Sequence, residues 1–334
     1  MGRGAGDHAP AGPAHGGRDG SGHAFDRPRW GTDGGRHIKG RVGWGSLGAA
    51  GIAGGAVLPA IAASSNGRVV AIASRDPERA RRMADGFDGA RAAASYDALL
   101  ADPEIDAVYI PLVNRDHRPW TLRALEAGKH VLCEKPLAMN AAEAEEMAAA
   151  AKRSGKHLME AAMYRFHPRT RAFVESLEDP VYVQTSFGFT LNNKKDFRFE
   201  SALGGGALLD VGFYVASIAR WILGEPSEVL ARSTMREGTD MTTSALLKFP
   251  SGATAALWAS FESAEDQEVT VVTRQGAYRL GKPFNWPDEV DQYQLMVESF
   301  ADSVLQDRPV AIPLSESIAN MKVLDRIREA ASTA

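Results

Sequence analysis

The sequence predicts an α/β protein with two folded domains: a doubly wound parallel sheet, then an α+β domain with an open, mainly antiparallel sheet. A length of 334 residues suits about two domains. Over residues 41–160, short apolar strands alternate with helices, as in a parallel sheet covered by helices on both faces. Over residues 161–334, hairpin turns replace this alternation. We therefore expect the domain boundary near residue 160.

Each element of the first domain has an apolar run or an end signal. The predicted strands cover residues 42–47, 69–73, 107–112 and 130–134, and the predicted helices cover residues 52–63, 77–87, 96–100, 120–127 and 141–154. Pro77 lies in the first turn of its helix, where a missing N–H is tolerated, while Gly128 and Gly155 end two other helices. The pattern predicts parallel strands joined by helical crossovers.

The second domain is predicted from a glycine run, two hairpins and terminal helices. The predicted helices cover residues 168–177, 207–223, 292–305 and 314–330, and the predicted strands cover residues 181–189, 245–249, 254–260, 268–273 and 277–280. Glycine-containing turns at 250–252 and 275–276 indicate two hairpins. Three consecutive glycines at 204–206 precede the helix at 207, and we expect them to allow close packing and substrate access.

The first forty residues differ from the rest of the chain. They hold 12 of the 33 glycines and four of the eight histidines, and too few apolar residues to offset the entropy of ordering. We predict a disordered tail over residues 1–40, although a start site assigned too far upstream would give the same composition. Residues 42–67 carry no charge and resemble a signal peptide, but their glycines and Pro59 disfavour a membrane helix.

Charge and cysteine content exclude several function classes. With 38 Lys and Arg against 42 Asp and Glu, the net charge is −4, so the chain lacks the basic surplus of a nucleic-acid-binding protein. Cys133 is the only cysteine, which rules out an intramolecular disulfide and a zinc site built from paired cysteines. We therefore expect a cytoplasmic protein that binds no metal, membrane or nucleic acid.

A glycine turn between the first strand and the first helix has the spacing of a dinucleotide-binding motif. Counted from Gly48, the pattern G-x-G-x-x-G becomes G-x-A-x-x-A, with Ala50 and Ala53 in place of the later glycines. Gly48 permits a tight turn, a small residue at 50 lets the backbone approach a pyrophosphate, and Ala53 lets the helix pack on the strand. The N–H groups of Gly51 and Ile52, at the helix start, would face the phosphates.

The end of the second strand indicates which dinucleotide binds. An acidic residue there would bind the 2′-hydroxyl of NAD, but the position holds Ser74 and Arg75, with Arg79 one turn further on. A hydroxyl and guanidinium groups suit the 2′-phosphate of NADP. Asp76 follows directly and would serve NAD in a shifted register, so NADP is predicted and NAD is the alternative.

Three motifs, in order, carry a resemblance to a known family. They are C-E-K-P at 133–136, E-A-A-M-Y-R-F-H-P at 160–168 and G-G-G-A-L-L-D-V-G-F-Y at 204–214. Over residues 41–330 the chain resembles the glucose–fructose oxidoreductase / inositol dehydrogenase (Gfo/Idh/MocA) family, in the branch of dihydrodiol dehydrogenases and NADP-dependent xylose dehydrogenases. The resemblance implies an amino-terminal Rossmann domain and hydride transfer to or from a nicotinamide.

Lys135, Asp210 and Tyr214 are the candidate catalytic and substrate-binding residues. Lys135 follows a strand at the carboxyl edge of the sheet, where an ammonium can polarise a carbonyl or stabilise an alkoxide. Asp210 and Tyr214 are four residues apart and would share one helix face. We expect Tyr214 to exchange a proton with the substrate oxygen, its pKa lowered by the ammonium, and Asp210 to orient Lys135 or the substrate. The alternatives are a surface lysine, a helix-start acid and a core aromatic.

The resemblance implies further contacts. Asn114 and His117 would approach the cofactor ribose and nicotinamide, with a polar loop as the alternative. Glu134, Lys135 and Arg165 are also expected at the cofactor, and Tyr164 at the substrate, unless 164 and 165 form a domain hinge. The peptide bond between residues 135 and 136 is expected to be cis.

These features predict an NADP-dependent oxidoreductase acting on a sugar hydroxyl or carbonyl, with an aldose such as xylose or glucose as the first substrate and a lactone as the product. A trans-dihydrodiol dehydrogenase or a keto-sugar reductase of a biosynthetic pathway would use the same residues. A non-catalytic nucleotide-binding sensor would lack Lys135 or Tyr214, and both are present. One face of the second sheet would lack helices, which predicts a homo-oligomer through that face.

Overall fold

The computed structural model describes residues 40–285 and 289–332, so the predicted tail, up to residue 39, lies outside the described residues. The strands of the first half are β1 (Val42–Leu47), β2 (Gly67–Ala73), β3 (Arg91–Ala92), β4 (Ala107–Ile110), β5 (His130–Cys133) and β6 (Leu158–Glu160). They form one parallel sheet in the order β3-β2-β1-β4-β5-β6. This order is that of a dinucleotide-binding doubly wound fold and confirms the predicted parallel sheet.

Two strands of this sheet, β3 and β6, were not predicted. They are two and three residues long, too short to show the alternation that identifies a strand. The register fixes them instead, because Ala71 pairs with Arg91 and Cys133 pairs with Glu160.

The helices of the first half follow their predicted order, with one shifted start. They are α1 (Leu58–Ala63), which continues from a π-helical turn at Ala53–Val57, α2 (Pro77–Ala84), α3 (Tyr96–Leu100), α4 (Asn114–Glu126) and α5 (Ala141–Ser154). The predicted start of α4 at residue 120 is wrong by six residues because Pro119 lies inside the helix. Pro119 has no N–H and so removes one backbone hydrogen bond from α4, which nevertheless continues to Glu126.

The second half contains a six-stranded mixed sheet and five helices. The strands are β7 (Pro180–Thr190), β8 (Glu228–Arg236), β9 (Thr239–Lys248), β10 (Thr254–Ser260), β11 (Glu262–Thr273) and β12 (Ala277–Gly281). The helices are α6 (Pro168–Glu175), α7 (Ala207–Asp210), α8 (Gly212–Leu223), α9 (Gln292–Gln306) and α10 (Leu314–Ser332). The sheet order is β12-β11-β7-β10-β9-β8, antiparallel except between β7 and β10. This confirms the predicted open, mainly antiparallel sheet.

The hairpin turns account for the order of this sheet. Both predicted hairpins form, β9–β10 and β11–β12. A third hairpin, β8–β9, was not predicted. Its turn is formed by Glu237 and Gly238, and this single glycine among polar residues is a weak turn signal. Both adopt positive φ, 50° and 77°, as tight hairpin turns require.

The predicted continuous helix over residues 207–223 is broken. It ends as α7 at Asp210 and restarts as α8 at Gly212, and the helical segments Ser201–Asp210 and Gly212–Leu223 differ in direction by 47°. Sharp bends are typical at glycine, and Gly212 leaves only 3.1 Å between a virtual Cβ and Leu208 Cδ1. Asp210 and Tyr214 therefore do not share one regular helix face, as the sequence analysis expected.

The two faces of the second sheet differ in what covers them. Helices α8 and α10 pack against its strands, and β9 alternates between buried residues such as Leu247 and exposed residues such as Leu246. On the face opposite the helices, Leu230 is 69% exposed and Leu246 is 58% exposed. These two exposed leucines lie on the face through which the sequence analysis predicted association.

The helices and the titratable side chains of residues 40–285 and 289–332 bear on two possible properties, membrane crossing and metal binding. No single helix has the length and apolarity to cross a membrane, although the bent pair Ser201–Asp210 and Gly212–Leu223 meets that test by length and composition together. In the same ranges, no group of three or more His, Cys, Asp or Glu side chains is arranged to hold a metal ion.

A buried histidine pair predicts acid sensitivity of the fold. The rings of His130 and His157 stack at 5.1 Å, and the His157 N–H donates to His130 Nδ1 at 3.1 Å. Burial, then the charges of His157 and Lys156, lower the pKa of His130 to about 3. In the unfolded chain, His130 has its ordinary, higher pKa and takes up a proton as the pH falls, whereas in the folded chain His130 stays neutral. The free energy of unfolding therefore decreases as the pH drops. We expect this site to cost about 2 kcal/mol between about pH 7 and about pH 5.

The measurement is urea unfolding of the wild type and of His130→Asn, which keeps a side-chain acceptor near the Nδ1 position, at both pH values. The variant should lose less stability on acidification than the wild type by that amount. Parallel losses in the two proteins would contradict the assignment.

Candidate active site

A pocket of about 800 Å³ opens where the carboxyl ends of β1, β2, β4 and β5 meet the second half of the chain. Ligands bind at this edge in doubly wound sheets, and the volume suits a cofactor-sized ligand. The predicted site residues on its wall are Gly48, Ala50, Gly51, Ile52, Ser74, Arg75, Arg79, Asn114, Glu134, Lys135, Asp210 and Tyr214. Residues from three distant motifs therefore meet in one cavity.

The glycine turn makes a cradle on this wall. Gly48 has φ of 129°, and a Cβ there would lie 3.0 Å from Leu112 Cδ2. A Cβ on Gly51 would meet no atom within 4 Å, so that position faces open space. The first N–H groups of a helix lack partners in their own helix, and Gly51 and Ile52 are exposed at the pocket. The cradle fits a diphosphate.

Ala53, the last position of the same motif, does not line the pocket. It is fully buried in the core, where its small side chain lets the helix lie against the strand. The side chain therefore acts on the site through packing, and a contact of residue 53 with the cofactor stays a prediction.

The end of β2 presents a hydroxyl and two guanidinium groups. Ser74, Arg75 and Arg79 line the pocket. The Asp76 carboxylate accepts from the N–H groups of Glu78 at 3.0 Å and Arg79 at 3.2 Å, so it caps α2. Both bonds go to Asp76 Oδ1, and Asp76 is not among the residues that line the pocket.

Hydrogen bonds on both sides of Lys135 hold the loop that carries it. Its Lys135–Pro136 peptide is cis, as expected. The Tyr109 hydroxyl donates to Glu134 at 2.6 Å, and the Leu137 N–H donates to the buried Glu160 carboxyl at 2.6 Å. Burial raises the pKa of Glu160 to about 7. These contacts fix the backbone on both sides of Lys135.

Lys135 pairs with Asp210 across the pocket. Lys135 Nζ lies 2.7 Å from Asp210 Oδ1, and Arg198 Nε lies 2.7 Å from Asp210 Oδ2. Burial alone would raise the pKa of Asp210, but the charges of Lys135 and Arg198 lower it to about 2. Asp210 therefore stays ionised between two cations.

Tyr214 meets Lys135 through its ring. Lys135 Nζ lies 4.8 Å from the ring centroid, a cation–π contact, while the hydroxyl donates to Met163 Sδ at 3.6 Å. Burial, then the charges of Glu134 and Asp210, raise the pKa of Tyr214 well above its ordinary value. The expected lowering of this pKa is wrong, because the ammonium faces the ring rather than the hydroxyl.

Two further predicted residues, His117 and Tyr164, do not line the pocket. His117 is fully buried, with ring nitrogens 2.8 Å from the Pro136 oxygen and 3.0 Å from the Leu112 oxygen. The Tyr164 hydroxyl donates to Ser217 Oγ at 2.7 Å, and the residue is fully buried. Both side chains are held by protein partners behind the pocket, and their contacts with cofactor and substrate stay predictions.

Arg165 likewise turns away from the pocket. Its guanidinium lies 4.5 Å from the centre of the Trp221 ring and 3.6 Å from Glu316. In the same turn, Met163 lines the pocket instead. Asn114 does line the pocket, and its Nδ2 donates to the Gly204 oxygen at 2.7 Å, which ties the first half of the chain to the glycine run.

Several pocket residues were missed by the sequence analysis. The polar ones include Arg198, Asp196 and Tyr293, and the aromatic ones include Phe187, Phe189 and Phe284. Tyr293 stands in the first turn of α9, which was predicted only as a helix. The phenylalanines lie on β7 and after β12, where alternation predicts a buried face but not which face meets the pocket.

Comparison with known proteins agrees with this architecture. A model described as oxidoreductase family, NAD-binding Rossmann fold, matches residues 42–162, and a model of the GFO/IDH/MocA C-terminal domain matches residues 174–279. The chain is 38% identical over 311 residues to a D-xylose 1-dehydrogenase (NADP(+)) of Haloferax volcanii, covering 85% of this chain and 95% of that protein.

Two further relatives act on other substrates. The trans-1,2-dihydrobenzene-1,2-diol dehydrogenase of Sus scrofa is 36% identical over 234 residues, covering 68% of this chain and 70% of that protein. A 3-ketoreductase from Actinomadura kijaniata, solved with NADP and TDP-benzene, is 30% identical with a TM-score of 0.77, covering 87% of this chain and 98% of that chain. The chain therefore belongs to the Gfo/Idh/MocA oxidoreductase family with its NAD-binding Rossmann fold, as the three motifs indicated.

Proposed function

We propose that this protein is an NADP-dependent sugar oxidoreductase, and that its first substrate is an aldose of the xylose or glucose type, oxidised at C1 to a lactone. The observation that carries the proposal is that the Lys135–Asp210 pair and the glycine turn line the same pocket. The relative named as a D-xylose 1-dehydrogenase supports the aldose, since it matches over nearly its full length.

The preference for NADP rests on the end of β2. Ser74, Arg75 and Arg79 offer a hydroxyl and two fixed positive charges, which suit a phosphate. Asp76, the residue that would serve NAD, caps α2 through Oδ1 and does not line the pocket, whereas Ser74, Arg75 and Arg79 do. Two relatives are named or solved with NADP.

The residues around Lys135 handle the charge and the proton of the substrate oxygen. When bound, the nicotinamide accepts or supplies the hydride. In oxidation, the C1–H bond breaks with its electron pair leaving as hydride, and the C1–O bond becomes a double bond. The substrate hydroxyl proton passes to the Tyr214 oxygen while Tyr214 releases its own proton to water in the open pocket, so Tyr214 stays neutral, in keeping with its raised pKa. To do so, the Tyr214 hydroxyl exchanges its weak contact with Met163 for the substrate. The Lys135 ammonium stabilises the alkoxide that develops. In reduction, Tyr214 donates its proton to the oxygen.

A dihydrodiol or a keto sugar is the second candidate substrate. The aromatic wall formed by Phe187, Phe189 and Phe284 suits an aromatic diol, and relatives are named for both chemistries. The same wall suits the apolar face of a sugar ring. The aromatic residues therefore do not favour a dihydrodiol or a keto sugar over an aldose.

The test is a panel of aldoses, polyols, aromatic dihydrodiols and keto sugars, with NADP(H) or NAD(H) followed by the absorbance of the reduced nicotinamide. We expect the highest kcat/KM with NADP⁺ and an aldose. A highest value for a dihydrodiol or keto sugar would replace the substrate, and turnover only with NAD⁺ would contradict the cofactor assignment.

We further propose division into a cofactor domain over 41–160 and a substrate and oligomerisation domain over 161–334. A cytoplasmic location fits the single buried thiol, which needs no oxidising compartment. The arrangement of the two sheets supports the domain division, and the single cysteine supports the location.

We also propose a homo-oligomer through the uncovered face of the second sheet, where Leu230 and Leu246 are exposed. Light scattering should give at least a dimer at micromolar concentration. The double variant Leu230→Asp, Leu246→Asp should give a monomer, because buried like charges oppose association. The control Tyr278→Ser, on the edge strand β12, should weaken association less. A monomeric wild type would contradict this proposal.

A further inference from the structure

Arg198 forms the second ion pair of the candidate catalytic carboxylate. Its Nε binds Asp210 Oδ2 at 2.7 Å, while Lys135 binds Oδ1 at the same distance. The Arg198 side chain is 31% exposed, against 13% for Asp210, and both line the pocket. One carboxylate thus divides its two oxygens between two cations.

The glycine run explains how Arg198 reaches Asp210. A Cβ on Gly205 would lie 2.6 Å from the Arg198 oxygen, and the Gly206 N–H donates to that oxygen at 2.9 Å. Only glycine lets the backbone of residue 198 approach the start of α7 so closely. The close packing expected at residues 204–206 therefore has a specific result, which is to place the guanidinium beside Asp210.

A second carboxylate orients the guanidinium. Asp196 Oδ1 accepts from the Arg198 N–H at 3.0 Å, and both Asp196 oxygens lie 3.3 Å from Arg198 Nη1. Arg198 is thus held by its own backbone, by Asp196 and by Asp210. A guanidinium bound on two edges has little freedom to turn toward solvent.

We propose that Arg198 is a positioning residue for Lys135, an inference that rests on the proposed function. By occupying Asp210 Oδ2, Arg198 leaves only Oδ1 for the lysine. An ammonium has three N–H donors, and Lys135 gives one to Oδ1 and a long one, 3.4 Å, to the Asp210 backbone oxygen. The remaining donor is available to a substrate oxygen.

Loss of Arg198 would change both geometry and charge. With Oδ2 free, the carboxylate can bind the ammonium through both oxygens and draw it away from the substrate. The site also becomes more negative by one charge, which disfavours an alkoxide or phenolate. The alkaline form needed for oxidation would then appear only at higher pH.

The experiment compares Arg198→Met, Arg198→Lys and the control Arg171→Met, which removes an exposed arginine of a surface pair on α6. In Arg198→Met we expect kcat to fall roughly 100-fold, as a displacement of about 1 Å can cause. The dissociation constant of NADP⁺ should change little, and the pH midpoint of kcat should rise by about one unit. Arg198→Lys should recover most of kcat, and the control should match the wild type.

A merely structural role gives a different result. The proposal is overturned if Arg198→Met keeps the kcat and the pH midpoint of the wild type. It is also overturned if Arg198→Lys and Arg198→Met lose kcat equally and neither shifts the midpoint. Thermal melting identifies a variant that fails to fold. Should Arg198→Met fail, Arg198→Gln, which keeps a side-chain N–H donor but no charge, takes its place; a raised pH midpoint is expected for it, and a wild-type midpoint overturns the proposal.

Acetylation of Lys135 by acetic anhydride, followed by mass spectrometry, tests the inference without turnover. Relative to the exposed Lys152, the Lys135 rate should fall several-fold in Arg198→Met, and an equal or faster rate would overturn the positioning role. A wild type that turns over no substrate refutes the proposed function, while the labelling still decides on Arg198.

Discussion

Replacing Lys135 with methionine is expected to lower kcat/KM by roughly 10³- to 10⁴-fold, because the ammonium that stabilises the developing alkoxide is lost. The fold should survive. Asp210 keeps Arg198 as a partner at 2.7 Å, so its charge is not left alone, and the methionine side chain has nearly the length of lysine. NADP⁺ binding should change by less than about threefold, since the glycine turn and the arginines are untouched.

The matched control is Lys152→Met on α5, a lysine that does not line the pocket. Steady-state kinetics and quenching of protein fluorescence by NADP⁺ give the two quantities. A Lys135→Met enzyme that keeps more than about a tenth of the wild-type kcat/KM would remove Lys135 from the chemistry.

Replacing Arg75 with alanine is expected to weaken NADP⁺ binding by about 10- to 100-fold, the range for one hydrogen bond to a charged group. NAD⁺ binding should hardly change, because NAD⁺ has no 2′-phosphate. The double variant Arg75→Ala, Arg79→Ala should bring the two dissociation constants together. Both arginines are exposed at the pocket, so their removal should leave stability unaffected.

Arg82→Ala is the control for that experiment. Arg82 lies on the same helix, α2, and is exposed but does not line the pocket. An equal loss of affinity for NADP⁺ and NAD⁺ in Arg75→Ala would indicate a contact with a part common to both, and would contradict the assignment of Arg75 to the 2′-phosphate.

The fold was predictable where a local signal marks each element. The strand at residues 42–47 was predicted at its observed bounds because all its residues are apolar or small and a glycine turn follows. The helix at 141–154 was also predicted at its bounds, since Asn140 and Gly155 cap it. The break at Val211 was not, because the flanking residues continue a helical pattern and the bend depends on packing against distant strands.

The candidate site was predictable where spacing along the chain carries the geometry. Gly48, Ala50 and Gly51 lie in one turn, and the chain itself brings them to the pocket. Arg198 was missed because its role depends on a contact with Asp210 that only the folded glycine run creates. His117 and Arg165 were assigned by resemblance, and in this structure their side chains contact the Pro136 oxygen and the Trp221 ring.

The most direct test of the account is deuterium transfer from the sugar to the cofactor. The enzyme is incubated with NADP⁺ and an aldose deuterated at C1, and the NADPH formed is examined by NMR. The account predicts deuterium on C4 of the nicotinamide, with the lactone as the other product. NADPH that carries only solvent hydrogen at C4 would show that the pocket does not bring a substrate C–H bond against the nicotinamide, and the assignment of hydride transfer to this site would be wrong.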